Sequence, residues 1–250
     1  PVTMINAMVF DLDGTLVQTE RLKAHSYARA AVELCPRHVT EDEVLNAYKD
    51  VVGRSREEVA STLMQRFDLE PAARERMDAY GVDEPWQGFV QVRLGYYEAM
   101  VQDPEVIRDN QWPHAMDVLR TARENQCAVA LATTSRREQA NRVLDALGLE
   151  DTFDFTATAD DVTRTKPHPE IYRLTAVNLG TRPDQMLALE DSPSGVEAAR
   201  TAGLHCIAMA TDFTRGTLHD ASGLDARWIV EAPDALAANV QSLINEQAQE

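Results

Sequence analysis

The reactive pattern of this chain lies near its start, in Met8-Val9-Phe10-Asp11-Leu12-Asp13-Gly14-Thr15. An apolar run stops at two carboxylates two residues apart, and glycine follows. Side chains two apart in an extended strand point to the same side, so Asp11 and Asp13 are expected to converge just beyond a buried strand. Two acids that close raise each other's pKa unless a cation sits between them. Two chemistries fit: ligation of a hard divalent metal, or a division of labour between nucleophile and acid/base.

Three further stretches carry polar residues of the same kind. Val129–Ala132 runs into Thr133-Thr134-Ser135, hydroxyls and backbone N–H groups at a helix start, a setting suited to an anion. Lys166 stands in Thr165-Lys166-Pro167-His168-Pro169-Glu170, in a chain whose other lysines are Lys23 and Lys49 alone. Ala188-Leu189 ends in Glu190-Asp191-Ser192. Singly, each has a plain reading: Thr133–Ser135 as a helix cap, Lys166 as a surface lysine, Asp191 as a loop acid. Together they all fall in strand-to-helix connections, hence on one edge of one sheet.

The elements that must position them follow from periodicity. Strand-like runs cover Ile5–Phe10, Cys127–Thr133, Phe153–Ala157, Met186–Leu189, His205–Ala210 and Trp228–Val230. Amphipathic helices are expected over Pro113–Asn125, over Arg136–Leu147 with a capping box of Ser135 and Glu138, over Pro169–Leu179, and over Pro193–Thr201 with Ser192 as N-cap. Alternating strands and helices predict an α/β fold, a Rossmann-like parallel sheet with helices on both faces and ligands at the carboxyl ends of its strands. From Val17 to Asp103 the rhythm stops, and helices are expected over Gln18–Leu34, Glu41–Val51, Arg56–Phe67, Arg74–Tyr80 and Val90–Val101. The expected organisation is a catalytic core of residues 1–16 and 104–250 with a helical cap domain, residues 17–103, inserted after the first strand as a lid. The polar tail Asn245–Glu250 is expected to fray.

Bulk properties narrow the partners. An apolar share of 44% and a charged share of 26% are ordinary for a globular chain. No apolar stretch approaches the ~20 residues that span a bilayer, and the first residues lack the pattern of a signal peptide. Cys35, Cys127 and Cys206 are odd in number and widely spaced, which fits reduced thiols and a cytoplasmic location. A net charge of −17 with no basic block argues against nucleic acid and anionic membranes as partners. A monomer or weak homodimer acting on a small molecule is expected.

The order Asp11-Leu12-Asp13-Gly14-Thr15-Leu16, then apolar strand and Thr133, then Lys166-Pro167-His168-Pro169-Glu170-Ile171-Tyr172, then Leu189-Glu190-Asp191-Ser192-Pro193-Ser194-Gly195-Val196-Glu197-Ala198-Ala199 resembles the four motifs of the haloacid dehalogenase superfamily. The resemblance spans the whole chain, including the insertion point of a cap, and is nearest the branch of β-phosphoglucomutase and the sugar-phosphate and phosphoglycolate phosphatases. A calcium loop also opens with Asp-x-Asp, but Gly14 comes too early for one and the distal ligand pattern is absent.

The resemblance implies roles. Asp11 would attack phosphorus; Asp13 would protonate the leaving oxygen and then deprotonate water. Mg²⁺ would be held by the Asp11 carboxylate, the Asp13 backbone carbonyl and Asp191, with Glu190 reaching it directly or through water. Thr133 and the Thr134 N–H would bind phosphoryl oxygens, and Lys166 would offset charge. Asp13 favours phosphoesters over halides, since a departing halide needs no proton. The implied activity is a Mg²⁺-dependent phosphatase for a small phosphorylated metabolite, a sugar phosphate foremost; the alternatives are a phosphomutase and a non-catalytic binding relative. In the cap, Lys23 stands where the mutase carries a histidine, which favours the phosphatase. Gly53-Arg54-Ser55-Arg56-Glu57 resembles the loop whose arginine, here Arg56, grips a distal phosphate. Arg93 sits where a cap lysine is expected, or else makes a surface ion pair. Trp86, Tyr96 and Tyr97 read as cap core, or as the lining of a sugar pocket.

Overall fold

The computed structural model describes residues 4–35, 37–51, 55–211, 213–221 and 223–248. Backbone contacts divide the chain into two units, Pro1–Gln18 with Ile107–Glu250, and Thr19–Val106.

The first unit is built on six strands: β1 (Ala7–Phe10), β2 (Ala128–Ala132), β3 (Phe155–Ala157), β4 (Met186–Glu190), β5 (His205–Met209) and β6 (Ile229–Val230). All pair in parallel, in the order β3-β2-β1-β4-β5-β6. The chain builds outward from β1 on one side, returns to β4, and builds outward on the other. The order therefore reverses between β1 and β4, the crevice where doubly wound sheets bind ligands. Register levels the strand ends: Phe10 pairs with Leu131 on one side and Leu189 on the other. The residues one step beyond, Asp11, Ala132 and Glu190, thus share a row.

Strand alternation gives the sheet two unlike faces. One carries Met8, Phe10, Leu131, Leu187, Leu189 and Ile207, and packs against α8 (Pro113–Glu124), α9 (Arg137–Leu147) and α13 (Leu236–Gln247). The other is mostly small, with Ala7, Ala130, Ala132, Ala188 and Ala208, and packs against α10 (Glu170–Leu179) and α11 (Pro193–Ala202). α12 (Arg215–Ala221) adds Leu218 to the small-residue side. Methyl groups on a strand let a helix axis come close, which governs what α10 and α11 can reach.

The second unit is helical: α1 (Thr19–Leu34), α2 (Glu41–Tyr48), α3 (Arg56–Phe67), α4 (Glu70–Glu75), α5 (Met77–Tyr80) and α6 (Pro85–Gln102), with α7 (Pro104–Asp109) beginning at its end. Thr40 and Ser55 cap α2 and α3, accepting from the N–H groups of Glu43 (3.4 Å) and Glu58 (3.2 Å). Tyr27 of α1 packs on Tyr48 of α2 and Phe89 of α6, with ring centroids 5.6 Å apart in both pairs. Among the described residues, no helix is long and apolar enough to cross a membrane.

Four local expectations are corrected. Arg136, rather than Ser135, is the N-cap of α9; its N–H donates to Gln139 Oε1 (3.3 Å) and the next N–H, of Arg137, to Asp160 Oδ2 (2.8 Å). The helix expected over Arg74–Tyr80 is two, α4 and α5, because Pro71 lets a helix start at Glu70 and the chain pinches at Arg76. The tail holds helix to Gln247, since Leu236, Val240 and Leu243 recur at helical spacing and are buried. Finally, α7 and α12 form where no helix was expected.

The two faces predict opposite failures at neighbouring positions of β4. Leu189→Ala should leave a cavity costing about 2–5 kcal/mol, and Ala188→Leu should overpack the α10/α11 side at about 1–3 kcal/mol. Urea unfolding reads both; Ala188→Leu as stable as wild type would contradict the close approach of those helices.

Candidate active site

At the carboxyl edge of the sheet, β1 delivers Asp11 and, two residues on, Asp13. Asp11 continues the ladder, its N–H donating to Leu189 O (3.0 Å), and is 5% exposed. β4 ends in Glu190 and runs on to Asp191, both buried. Carboxylate oxygens of Asp11, Glu190 and Asp191 lie within 4.8 Å of one another.

Lys166 enters from the segment before α10. Thr163 and Arg164 donate their N–H groups to the Glu170 carboxylate (2.9 and 3.1 Å), which fixes the loop. The lysine side chain, 3% exposed, places its Nζ 2.7 Å from Asp11 Oδ1, 2.6 Å from Glu190 Oε1 and 2.8 Å from Ala132 O. Burial works to strip Lys166 of its proton, but Asp11 and Glu190 hold the ammonium above its ordinary range. For Asp11 burial is the largest influence and pushes the carboxyl up, to about 7, against the pull of Lys166 and with the help of Glu190 and Asp13. One ammonium is too little for this group of acids, and a further positive charge would restore Asp11 to a full carboxylate.

The donor set suits such a charge. It is all oxygen and largely carboxylate, the preference of Mg²⁺ and Ca²⁺. The backbone also makes room: Gly14 has φ +87°, and a Cβ there would lie 1.8 Å from Asp191 Oδ2. No other residue type lets Asp191 lie against the turn that follows Asp13.

Asp13 is half-buried and faces the end of β2. Ser135 Oγ donates to its Oδ2 at 2.5 Å, and Thr133 Oγ1 lies 3.4 Å from the same oxygen. Thr133 is fully buried and accepts the Ser135 N–H (3.0 Å), while Thr134 is exposed. Ser135 can serve Asp13 because Asp160 and Gln139 satisfy the first N–H groups of α9 in its place. The two motif aspartates thus have different surroundings: Asp11 sits on an ammonium, Asp13 on hydroxyls.

The structure therefore brings Asp11, Asp13, Thr133, Lys166, Glu190 and Asp191 to one edge of the sheet. Two contacts have no counterpart in the roles expected from sequence: Ser135, expected as a helix cap in the hydroxyl-rich turn after β2, bonds Asp13, and Tyr172, part of the Lys166–Tyr172 motif but given no role there, reaches the acid at the end of β4. The Tyr172 hydroxyl donates to Glu190 Oε1.

Lys23, Arg56 and Arg93 belong to the helical unit. Lys23 pairs with Glu20 (2.6 Å), which also accepts from the Tyr48 hydroxyl (3.0 Å). Arg56 is exposed at the start of α3; Gly53 and Arg54 of its motif lie outside the described residues. Arg93 departs from the surface ion pair offered as its alternative: it is 5% exposed, with its guanidinium 5.0 Å from the Tyr27 ring centroid and 4.6 Å from that of Tyr97, and its buried Nε has no hydrogen-bond partner. Trp86 is half-buried, and the Tyr96 hydroxyl donates to Glu33 (2.9 Å).

A parallel sheet with acids gathered at its switch point marks a doubly wound α/β enzyme. The chain belongs to the haloacid dehalogenase-like hydrolase family, whose model matches residues 5–203. The validoxylamine A 7'-phosphate phosphatase of Streptomyces hygroscopicus subsp. limoneus is 28% identical over 90% of this chain and 97% of its own. The phosphorylated carbohydrates phosphatase of Thermotoga maritima is 28% identical over 96% of this chain and 97% of its own. The fold is shared with a haloacid dehalogenase family hydrolase of Deinococcus radiodurans R1, solved with bound phosphate and sodium, at a TM-score of 0.69 and 22% identity over 97% of this chain and 98% of that one.

Lys166→Met should cost about 3–5 kcal/mol in metal-free unfolding, because it leaves Asp11 and Glu190 buried without their shared cation. Wild-type stability in that variant would mean that the buried pair carries none of the load.

Proposed function

We propose that this chain is a Mg²⁺-dependent phosphatase that hydrolyses a small phosphorylated metabolite, a sugar phosphate, by way of a phosphoryl group carried on Asp11. The observation that carries this reading is the unlike surroundings of two aspartates two residues apart. Asp11 is buried with Lys166 Nζ at 2.7 Å, and Asp13 is half-buried against the Ser135 hydroxyl at 2.5 Å. The first suits a nucleophile, the second a proton carrier.

In the first step an Asp11 carboxylate oxygen bonds to phosphorus and the ester P–O bond breaks, while Asp13 gives its proton to the departing oxygen. In the second, Asp13 takes a proton from water as that water attacks the same phosphorus. The bond to Asp11 breaks, inorganic phosphate leaves, and both aspartates return to their starting states. Thr133 Oγ1 and the Thr134 N–H bind phosphoryl oxygens. Ser135 keeps Asp13 turned toward the β2 edge.

Lys166 remains an ammonium throughout. An anionic nucleophile facing an anionic phosphate at ~4 Å costs about 4 kcal/mol per like-charge pair at an effective dielectric near 20, and Lys166 offsets part of it. The Asp11 and Asp191 carboxylates and the Asp13 carbonyl would hold Mg²⁺, which supplies further positive charge beside the transferring phosphoryl oxygens. Lys23, Arg56 and Arg93 of the helical unit are the residues we assign to reading the rest of the substrate. Of the two phosphatase relatives, one is named for phosphorylated carbohydrates, which supports the choice of sugar phosphates, and the other for validoxylamine A 7'-phosphate, which supports a small phosphorylated metabolite.

Phosphate release from a panel of phosphorylated metabolites, with Mg²⁺ and with EDTA, tests the reading. Sugar phosphates should be turned over only with Mg²⁺, Asp11→Asn should lose at least about 1,000-fold in kcat, and Asp13→Asn about 100–10,000-fold. Wild-type turnover by Asp11→Asn would sink the mechanism. Conversion of β-glucose 1-phosphate to glucose 6-phosphate faster than phosphate release would make the chain a mutase.

A further inference from the structure

Lys166 has three ammonium protons and three acceptors: Asp11 Oδ1, Ala132 O and Glu190 Oε1. Its place between the two carboxylates depends on what holds Glu190. That residue is fully buried, and a buried carboxylate needs several donors to remain where it is. Oε1 accepts from Lys166 and from the Tyr172 hydroxyl, whereas Oε2 has the Asp191 N–H only at 3.4 Å.

Packing explains how a helix residue reaches a strand-end acid. Alanines at 130, 132, 188 and 208 line the face under α10 and α11, and the fully buried Tyr172 of α10 projects along the sheet toward the end of β4. Its ring centroid lies 5.3 Å from Lys166 Nζ. From α11, Gly195 closes the other side; a Cβ there would lie 2.0–2.3 Å from the Glu190 carboxylate atoms. A phenylalanine would fill the same space. The hydroxyl answers a need of Glu190 rather than of the core.

We propose that Tyr172 is a positioning residue: its hydroxyl pins Glu190 so that the Lys166 ammonium bridges Asp11 and Glu190 instead of closing on Glu190 alone. Without the hydroxyl, Glu190 Oε1 turns wholly to the ammonium, and Asp11 loses part of the contact that neutralises it as the phosphate approaches. The kinetic consequence rests on the phosphatase reading; the placement of Lys166 does not.

The chain's three lysines make the test direct. In protein labelled with ¹⁵N at lysine Nζ, the Lys166 ammonium resonance is assigned by its loss in Lys166→Arg. Tyr172→Phe should shift that resonance and lower kcat about tenfold with KM unchanged. In a Glu190→Gln background the same substitution should do neither. An unmoved resonance, an unchanged kcat, or a Tyr172→Phe effect that persists in full beside Glu190→Gln would each overturn the proposal; the last would reduce Tyr172 to packing. A wild-type protein that releases no phosphate would overturn the phosphatase reading, and the lysine resonance would still decide for or against Tyr172.

Discussion

Four carboxylates, those of Asp11, Asp13, Glu190 and Asp191, gather at one edge of a parallel sheet with the single ammonium of Lys166 among them. Like charges in a buried setting repel by several kcal/mol, so this arrangement exists only because the fold imposes it. The strand order sets β1 beside both β2 and β4, and the register brings their ends level. Lys166 bonds to all three strand ends, at Asp11, Ala132 and Glu190. Its loop is stapled by Glu170 and its partner Glu190 is held by Tyr172. Sheet, loop and helix thus meet on one counter-ion.

The unequal faces of the sheet serve the same end. Bulky residues on one side build one half of the core and anchor α8, α9 and α13. On the other side, methyl groups let α10 and α11 lie close enough for Tyr172 to reach Glu190 and for Gly195 to close over it. Gly14 plays the matching part at the end of β1, where its missing Cβ leaves room for Asp191. The small residues are thus the ones that allow charge to be packed against charge.

Much of this was legible in the sequence, for identifiable reasons. Alternation of apolar runs and helical stretches gave the parallel sheet, because each signal is local. Acids, hydroxyls and a lysine at strand-to-helix connections marked the edge, because such connections in a parallel sheet share one side. The rarity of lysine made Lys166 conspicuous. What stayed hidden depends on contacts distant in sequence. Ser135 had the pattern of an N-cap, and only the placement of Asp160 against the Arg137 N–H shows why its hydroxyl turns to Asp13 instead. Tyr172 has the spacing of a core residue, and its hydroxyl gains meaning from Glu190, 18 positions on. The burial of Arg93 between Tyr27 and Tyr97 likewise joins α1 to α6 across a long separation.

The claim on which the account turns is that Asp11, and not Asp13, takes the phosphoryl group. Rapid quenching of Mg²⁺-loaded protein during turnover, borohydride reduction of the acyl phosphate and peptide mass spectrometry would locate it. The account predicts reduction of Asp11 to homoserine, with Asp13 unmodified in the same peptide. Reduction at Asp13, or steady phosphate release with no trapped acyl phosphate on Asp11, would contradict it.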